Sequence, residues 1–350
     1  VRVLADLKLR DFRCFEFLGF SPGPRRTFIE GANAQGKTSI LEAVCILLRL
    51  QSPRTSTTSD AIRIGHPGFL LNGHCSDAHM VCNYSAAGRE IVLDSKPQTR
   101  TDDYLDVARV AWFANSDLEL VRGGGSCRRR YLDFLGMQCI PGYRKSLRAY
   151  ERALRSRNAL LKDNRPRREI AAFDQPFIES GEFLLASRSK LVEDLTPLAQ
   201  KACVDISGGN DQLTVTFGPG SKGPLSETLA TSRPDEERLR QTVVGPHRDD
   251  LEITLNALGA ADFSSEGQQR GIALALKLAQ ARHLEAVQQR APILLLDDIF
   301  GELDPLRRNR LLESLPEGSQ AIITTTFLDW ADRAPDDRIF KLESGLLRPE

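Results

Sequence analysis

Eight residues, Gly31-Ala32-Asn33-Ala34-Gln35-Gly36-Lys37-Thr38, constrain this chain more than any other stretch. They have the spacing of a phosphate-binding loop, follow the strand-like run from Thr27 to Glu30, and open into the apolar helical segment SILEAVCILL. Strand, glycine loop and helix in that order commit the chain to an α/β sheet whose strand ends hold an anion. Gly31 and Gly36 let the backbone turn its N–H groups onto phosphate oxygens, with Ser39 closing the loop. Lys37 is expected to reach the β and γ phosphates of ATP, and the Thr38 hydroxyl to ligate Mg2+. Such a site needs a second, acidic strand end, and Ile293-Leu294-Leu295-Leu296-Asp297-Asp298 supplies one. Asp297 is expected to hold magnesium. Asp298 is the candidate catalytic base, since successive strand residues face opposite ways and one of the two can address the attacking water.

The 350 residues can hold two ordinary domains, or one large domain with an insertion. Seven scattered cysteines without a Cys-x-x-Cys pair indicate reduced thiols and a cytoplasmic setting. No apolar run is long enough to cross a membrane, and the opening VRVLADLKLRDF reads as an alternating strand rather than a signal peptide. Zero net charge hides segregation. From Arg122 to Arg168, fourteen Arg or Lys residues stand against Asp133, Glu151 and Asp163, and the rest of the neutral chain must balance that excess.

The first 120 residues alternate β-like runs with one clear helix, Lys37 to about Leu50, followed by the Ser/Thr-rich QSPRTSTTSD. From Ser126 to about Ala202 the pattern is helical, with breaks expected near Pro141, Pro166, Pro176 and Pro197. After Gly208 to Asn210 the β pattern returns in QLTVTF and LEITL, then come a helix from about Gln268 to Gln289 and the strand PILLLDD. The expected architecture is an α/β P-loop head built from residues 1–122 and 241–350, with a helical lobe, 123–240, inserted between them.

Ser264-Ser265-Glu266-Gly267-Gln268-Gln269-Arg270, ahead of the long helix, resembles the signature sequence of ABC-type ATPases. That resemblance implies that Ser265, Gly267 and Gln268 complete the nucleotide site of a second copy in an ATP-driven homodimer. It also implies that Asp304, in Gly301-Glu302-Leu303-Asp304, is the D-loop residue at the interface. In transport ATPases loop and signature share one compact domain, whereas here 228 residues separate Lys37 from Ser265. A transporter subunit is therefore disfavoured, and an SMC-type coiled coil is excluded by the short, proline-broken insert.

The stretch Val244-Gly245-Pro246-His247-Arg248-Asp249-Asp250-Leu251 resembles the GPHRDDL segment of the RecF family. Ser156 to Lys162 resembles its RNxLLK segment, Arg128-Arg129-Arg130-Tyr131-Leu132-Asp133 its RRxFLD block, and Leu7 to Arg13 its opening. The matches run in order over nearly the whole chain. Departures are Asn115, where the family usually has proline, and Glu266, where the general signature has glycine. Thr324-Thr325-Thr326 also stands where transport ATPases carry a histidine that senses the γ-phosphate, which implies slow hydrolysis. The resemblance implies a slow DNA-dependent ATPase that marks duplex DNA beside single-strand gaps and helps RecO and RecR load RecA. An ATP-gated DNA clamp with negligible turnover is the alternative.

If Pro141 to Lys162 is one helix, Arg144, Arg148, Arg152 and Arg155 share an arc of about 80°, while Leu147, Tyr150, Leu154 and Leu161 form another face. With Arg128, Arg129 and Arg130 they are the candidate contacts to DNA phosphates. His74, Cys75, His79 and Cys82 have a spacing that could hold zinc, but they lie in a β pattern where thiols pack well, and no zinc is expected. His247 and Arg248 are site candidates of open role, either catalytic or bracing the end of the insert against the head.

Overall fold

A computed structural model describes residues 2–55, 57–209, 211–331 and 333–350. Asn210, in the expected break after Gly208, and Ser56, in the Ser/Thr-rich loop, lie outside them. The chain divides into two units, Val1–Asp117 with Gln280–Glu350, and Leu118–Ala279.

The first unit is built on two sheets. One runs in the order Leu346–Pro349, Arg338–Glu343, Arg26–Glu30, Ala321–Thr325, Ile293–Asp297, Val110–Ala114, parallel throughout except for its Leu346–Pro349 edge. Its central strands are continuous apolar runs because both faces are covered, and Ile293 to Leu296 and Ile322 to Ile323 are fully buried. The other sheet is an antiparallel meander of Leu4–Phe12, Phe15–Phe20, Gly68–Cys75, Ala78–Ser85, Gly88–Leu93 and Lys96–Pro97. The Lys37–Arg49 helix touches strands of both sheets. Flanked on two sides, it is apolar nearly all round. Among its polar residues Thr38, Glu42 and Arg49 fall on one stripe at about 100° per residue, with Lys37 and Ser39 off it. The buried Arg49 guanidinium donates to the carbonyls of Leu105 (2.6 Å) and Ala108 (2.8 Å), tying the helix end to the next segment.

The second unit is mainly helical, with long helices at Gly125–Cys139, Tyr143–Lys162 and Asp174–Ser207. Tyr143, Tyr150, Phe177, Leu184, Leu225 and Leu229 form its core, on which Leu147 and Leu154 pack. One expected helix break is absent. The break near Pro176 is present, between Arg167–Ala171 and Asp174–Ser207, and Pro176 is the third residue of the latter, where a missing N–H is harmless. Pro197 lies inside that helix, and the Thr196 hydroxyl before it sits 2.7 Å from the Val192 carbonyl and 2.9 Å from that of Val215.

The expected division also changes. QLTVTF and LEITL do not rejoin the head sheet; Leu213–Gly218 and Asp250–Leu255 pair with each other and with Leu258–Gly259 in a separate antiparallel sheet. This pairing carries residues 241–279 into the second unit, so the insert runs from 118 to 279 rather than from 123 to 240.

Charged side chains lock that segment in place. Arg188, on Asp174–Ser207, reaches the Asp133 carboxylate (2.8 Å), the Tyr143 hydroxyl (3.1 Å), the Pro246 carbonyl and the Asp249 carboxylate (both 2.7 Å). Asp249 is fully buried and also accepts from the Gly220 N–H (2.7 Å). Burial works against the Arg188 charge, but Asp133, Tyr143 and Asp249 together raise its pKa further above the usual range. Removing one member of a buried charge cluster leaves the others uncompensated. Asp249→Ala is therefore expected to lower unfolding stability by about 3 kcal/mol, read from the urea midpoint. A loss below about 1 kcal/mol, the level of an exposed pair, would mean that the cluster is incidental to stability.

Candidate functional site

Parallel register decides what meets at the strand ends. Asp297 pairs with Thr324, and Thr325 with Glu30, so the acidic strand end, the threonines and the entrance to the glycine loop share one edge. Both glycines of the loop are sterically required. A Cβ on Gly31 would lie 2.5 Å from the Leu342 carbonyl oxygen. Gly36 has φ +103, and a Cβ there would lie 2.6 Å from the Phe15 ring and 2.8 Å from the Cys14 sulfur. Asn33 and Ala34 are exposed at the loop tip, and Ala34 is itself left-handed at φ 65. Ala32 is likewise exposed, and Gln35 accepts from the Ser344 N–H at 2.8 Å.

Lys37, largely buried, donates to the carbonyls of Gly31 (2.6 Å) and Ala32 (3.0 Å). Burial lowers its pKa, opposed by the charges of Asp298 and Asp297. The Thr38 and Thr324 hydroxyls each donate to one Asp297 oxygen, both at 2.9 Å. Burial raises the Asp297 pKa, those two hydrogen bonds lower it, Asp298 raises it and the Arg54 charge lowers it.

Strict strand alternation, from which Asp298 was assigned, does not apply. The strand ends at Asp297, Asp298 turns into the left-handed region at φ 52, and both carboxylates line one cavity of about 520 Å3. A non-glycine residue in that conformation stores strain, of the kind found where a side chain must be aimed. The Asp298 N–H donates to the Thr324 carbonyl (3.2 Å) and hydroxyl (3.0 Å). The Asn115 amide donates to the Asp298 carbonyl at 3.1 Å, a bond that proline could not make. Burial raises the Asp298 pKa, Lys37 lowers it and Glu302 raises it. Gly36, Lys37, Thr38 and Ser39 line the same cavity, as do Arg13, Arg54 and Asp60, which the sequence reading did not select. The Thr38 hydroxyl and the Asp297 carboxylate form a hard oxygen donor set, the chemistry that suits magnesium.

The signature residues lie in the second unit. Ser265 is exposed ahead of the Glu266–Gln288 helix, where its N–H donates to Gln268 Oε1 (2.9 Å) and its hydroxyl accepts from the Gln268 N–H (3.3 Å). This is a reciprocal helix cap. Gly267 occupies its first turn. Asp304 is exposed and caps Pro305–Ser314, accepting from the Arg307 N–H at 2.9 Å.

The basic candidates divide in two. Arg130, Arg148, Arg152 and Arg155 are exposed, and Arg144 is half-buried. Arg128 is instead held in a bidentate pair with Asp250 (2.6 and 2.9 Å), and Arg129 donates to the Asp249 carbonyl at 2.7 Å. These two brace the segment 245–251 rather than stand free for phosphate.

His247 makes its side-chain contacts within the second unit. Its Nδ1 lies 2.6 Å from the Tyr150 hydroxyl and its Nε2 3.0 Å from the Thr242 carbonyl, while Arg248 is exposed beside it. His74 and His79 stack at 4.8 Å, next to Asp6 and Asn72 respectively. Cys75 and Cys82 are buried, which pushes both thiols up to about 11. Among the described residues no group of three or more His, Cys, Asp or Glu could hold a metal, and no helix is long and apolar enough to cross a membrane.

An AAA domain model matches residues 6–104. The chain is 36% identical to the DNA replication and repair protein RecF of Anaeromyxobacter sp. (strain Fw109-5), covering 99% of both chains. It is 35% identical to the RecF of Rippkaea orientalis, with the same coverage. The chain belongs to the RecF family. A solved structure described as the recombination mediator protein RecF-ATPrS in the RecFOR pathway superposes at TM-score 0.90 with 27% identity, over 99% of this chain and 98% of that one. An SMC head bound to a ScpA winged-helix domain superposes at 0.55 with 16% identity, covering 99% of this chain and 96% of that one, a likeness of fold. The architecture is that of an α/β P-loop ATPase of ABC head type with an inserted, mainly helical lobe. RecF proteins act in DNA replication and repair, by the name these relatives carry.

Burial holds the His247 pKa at about 4, below the ordinary 6.5, opposed by the Thr242 carbonyl and reinforced by Arg248, Arg129 and Arg188. Between these values the unfolded chain binds a proton that the folded one refuses, so stability is greatest above pH 6.5 and falls as the pH drops towards 4. The loss amounts to at most about 3 kcal/mol. His247→Gln is expected to flatten that part of the Tm-against-pH curve. An unchanged slope would mean that other groups control it.

Proposed function

We propose that the chain is a slow DNA-dependent ATPase that dimerises around ATP, holds duplex DNA beside single-strand gaps, and works with RecO and RecR to load RecA. The observation that carries this reading is the convergence of Lys37, Thr38, Asp297 and Asp298 on one cavity under a two-glycine loop. Relatives of matching length carry the RecF name, and similar structures are described with ATP.

Lys37 would exchange its two carbonyl acceptors for phosphate oxygens, and loop N–H groups would take the rest of that charge. Thr38 and Asp297 would hold Mg2+. Bound there, the ion supplies positive charge against the phosphate oxygens. Asp298 is the base: burial raises its pKa, which strengthens it as a proton acceptor from water. Ser265 keeps its hydroxyl proton, since its oxygen only accepts within the cap, and that proton together with Gly267 and Gln268 would address the nucleotide of a second copy. Asp304 would lie at that dimer interface. Arg130, Arg148, Arg152 and Arg155, with Arg144 beside them, would contact DNA phosphates, positioning the duplex without reading its sequence.

Sedimentation with and without ATP and duplex DNA tests dimerisation and DNA retention together. ATP is expected to produce a DNA-bound dimer, Asp298→Asn to prolong its life, and Ser265→Arg to abolish it. An ATP-dependent dimer that survives Ser265→Arg would remove the shared-site reading, and an unchanged lifetime in Asp298→Asn would remove the base assignment.

DNA affinity is expected to fall steeply with salt. Replacing Arg148, Arg152 and Arg155 by alanine is expected to reduce the log–log salt slope by roughly three. A flat salt response of the unaltered protein would rule out phosphate contacts.

A further inference from the structure

One carboxylate close to the nucleotide cavity takes no part in the roles above. Glu42 lies one helical turn beyond Thr38 on the same stripe of the Lys37–Arg49 helix, and its side chain is fully buried. An isolated buried carboxylate costs several kcal/mol, so its surroundings must compensate the charge. Arg13 does so with two bonds, Nε to Oε2 at 2.9 Å and Nη2 to Oε1 at 2.6 Å. Arg54 Nη1 adds a third at 3.1 Å, and the Ser52 hydroxyl a fourth at 2.6 Å.

Glu42 is not in the wall of the cavity, but both of its arginines are. They differ in what they have left to offer. Arg13 also donates Nη1 to the Asp60 carbonyl at 2.5 Å, so all three of its nitrogens are engaged and it acts as a brace. The Arg54 guanidinium makes only the Glu42 bond among the described residues, and its side chain is 44% exposed. Its remaining donors can turn to an anion while the Glu42 bond holds the guanidinium. Ser52 extends the arrangement along the chain, its oxygen accepting from the N–H groups of Arg54 (3.0 Å) and Thr55 (3.2 Å). A single carboxylate thereby fixes the loop after the helix, the turn after the first strand, and the helix that begins with Lys37.

We infer that Glu42 is a positioning residue of the nucleotide site, holding Arg54 where it binds the polyphosphate and using Arg13 as a counter-brace. This rests on the nucleotide reading above. The polyphosphate gains a cation whose side chain is already held in place, and less ordering is lost on binding. The role belongs to the pair, since Arg54 without Glu42 is a mobile exposed side chain, and Glu42 without Arg54 has nothing to aim.

The test is a double-mutant cycle on nucleotide affinity, read with a fluorescent ATP derivative and Mg2+ at a temperature where every variant is folded by circular dichroism. Glu42→Gln keeps the volume and removes the charge, and Arg54→Gln removes the cation. Each is expected to weaken binding about tenfold, and the double variant no more than Arg54→Gln alone. A residue acting only through stability would leave the affinity of the folded protein unchanged, or give losses that add. Either result overturns the inference. Lys37→Ala is the control: if it leaves binding intact, the nucleotide reading itself fails, whereas loss there with full binding in Glu42→Gln defeats only the positioning role. If Glu42→Gln does not fold, Arg54→Gln decides alone, since it sits on a half-exposed loop, and undiminished affinity there overturns the inference.

Discussion

The two hydroxyl bonds to Asp297 are the contact on which the site depends. Thr38 lies in the first turn of the helix after the glycine loop, Thr324 near the end of a neighbouring strand, and both donate to one carboxylate oxygen at 2.9 Å. Parallel pairing alone aligns the strand ends, but the acidic end is buried, and a bare carboxylate there would favour protonation or a shift of the strand. With the hydroxyls in place the charge is held, and three separate segments of sequence are joined at one point. The left-handed Asp298 follows from this anchoring. Once Asp297 is fixed and the Asp298 N–H is bound to Thr324, a turn rather than a further strand residue brings the second carboxylate into the same cavity. The threonine found where transport ATPases carry histidine is therefore a structural partner of the acidic strand end.

The same principle governs the helix after the loop. A helix between two sheets must be apolar on most of its surface, and SILEAVCILL is. Its buried polar residues need partners: Lys37 meets the Gly31 and Ala32 carbonyls, Thr38 meets Asp297, Glu42 meets Arg13, Arg54 and Ser52, and Arg49 meets two backbone carbonyls. One stripe thus carries the anchors of the glycine loop, of the following loop and of the helix end. A lone carboxylate in an otherwise apolar helix is the trace this leaves in sequence.

What could be read from the sequence follows from how local each feature is. The glycine loop, its helix and the acidic strand are local patterns, and Lys37–Arg49 and Ile293–Asp297 formed where spacing and apolar content placed them. The strands QLTVTF and LEITL were also recognisable, but their partner was not, because period-two alternation gives a strand without naming its sheet. Proline was misread as punctuation at Pro197, which lies inside the Asp174–Ser207 helix. Arg13, Arg54 and Asp60 reach the cavity from segments with no phosphate-binding pattern of their own, and only the folded chain assembles them.

Charge shows most clearly why a local count is not a surface property. The excess between Arg122 and Arg168 is real in sequence, yet its compensation comes from far along the chain. Asp250 takes Arg128, the Asp249 carbonyl takes an N–H of Arg129, and Asp174 with Glu236 takes the fully buried Arg157. Those arginines hold the second unit together, and the carboxylates that neutralise them were counted elsewhere. What survives as exposed charge includes Arg122, Arg130, Lys145, Lys162, Arg165 and Arg168, and the row of Arg148, Arg152 and Arg155 on one helix whose opposite side, through Tyr150, Ala153 and Leu161, is buried. Burial of that apolar side fixes the orientation of the helix, and orientation turns a basic sequence into a directed ridge. A phosphate backbone meeting this surface would encounter arginines that buried carboxylates have not claimed.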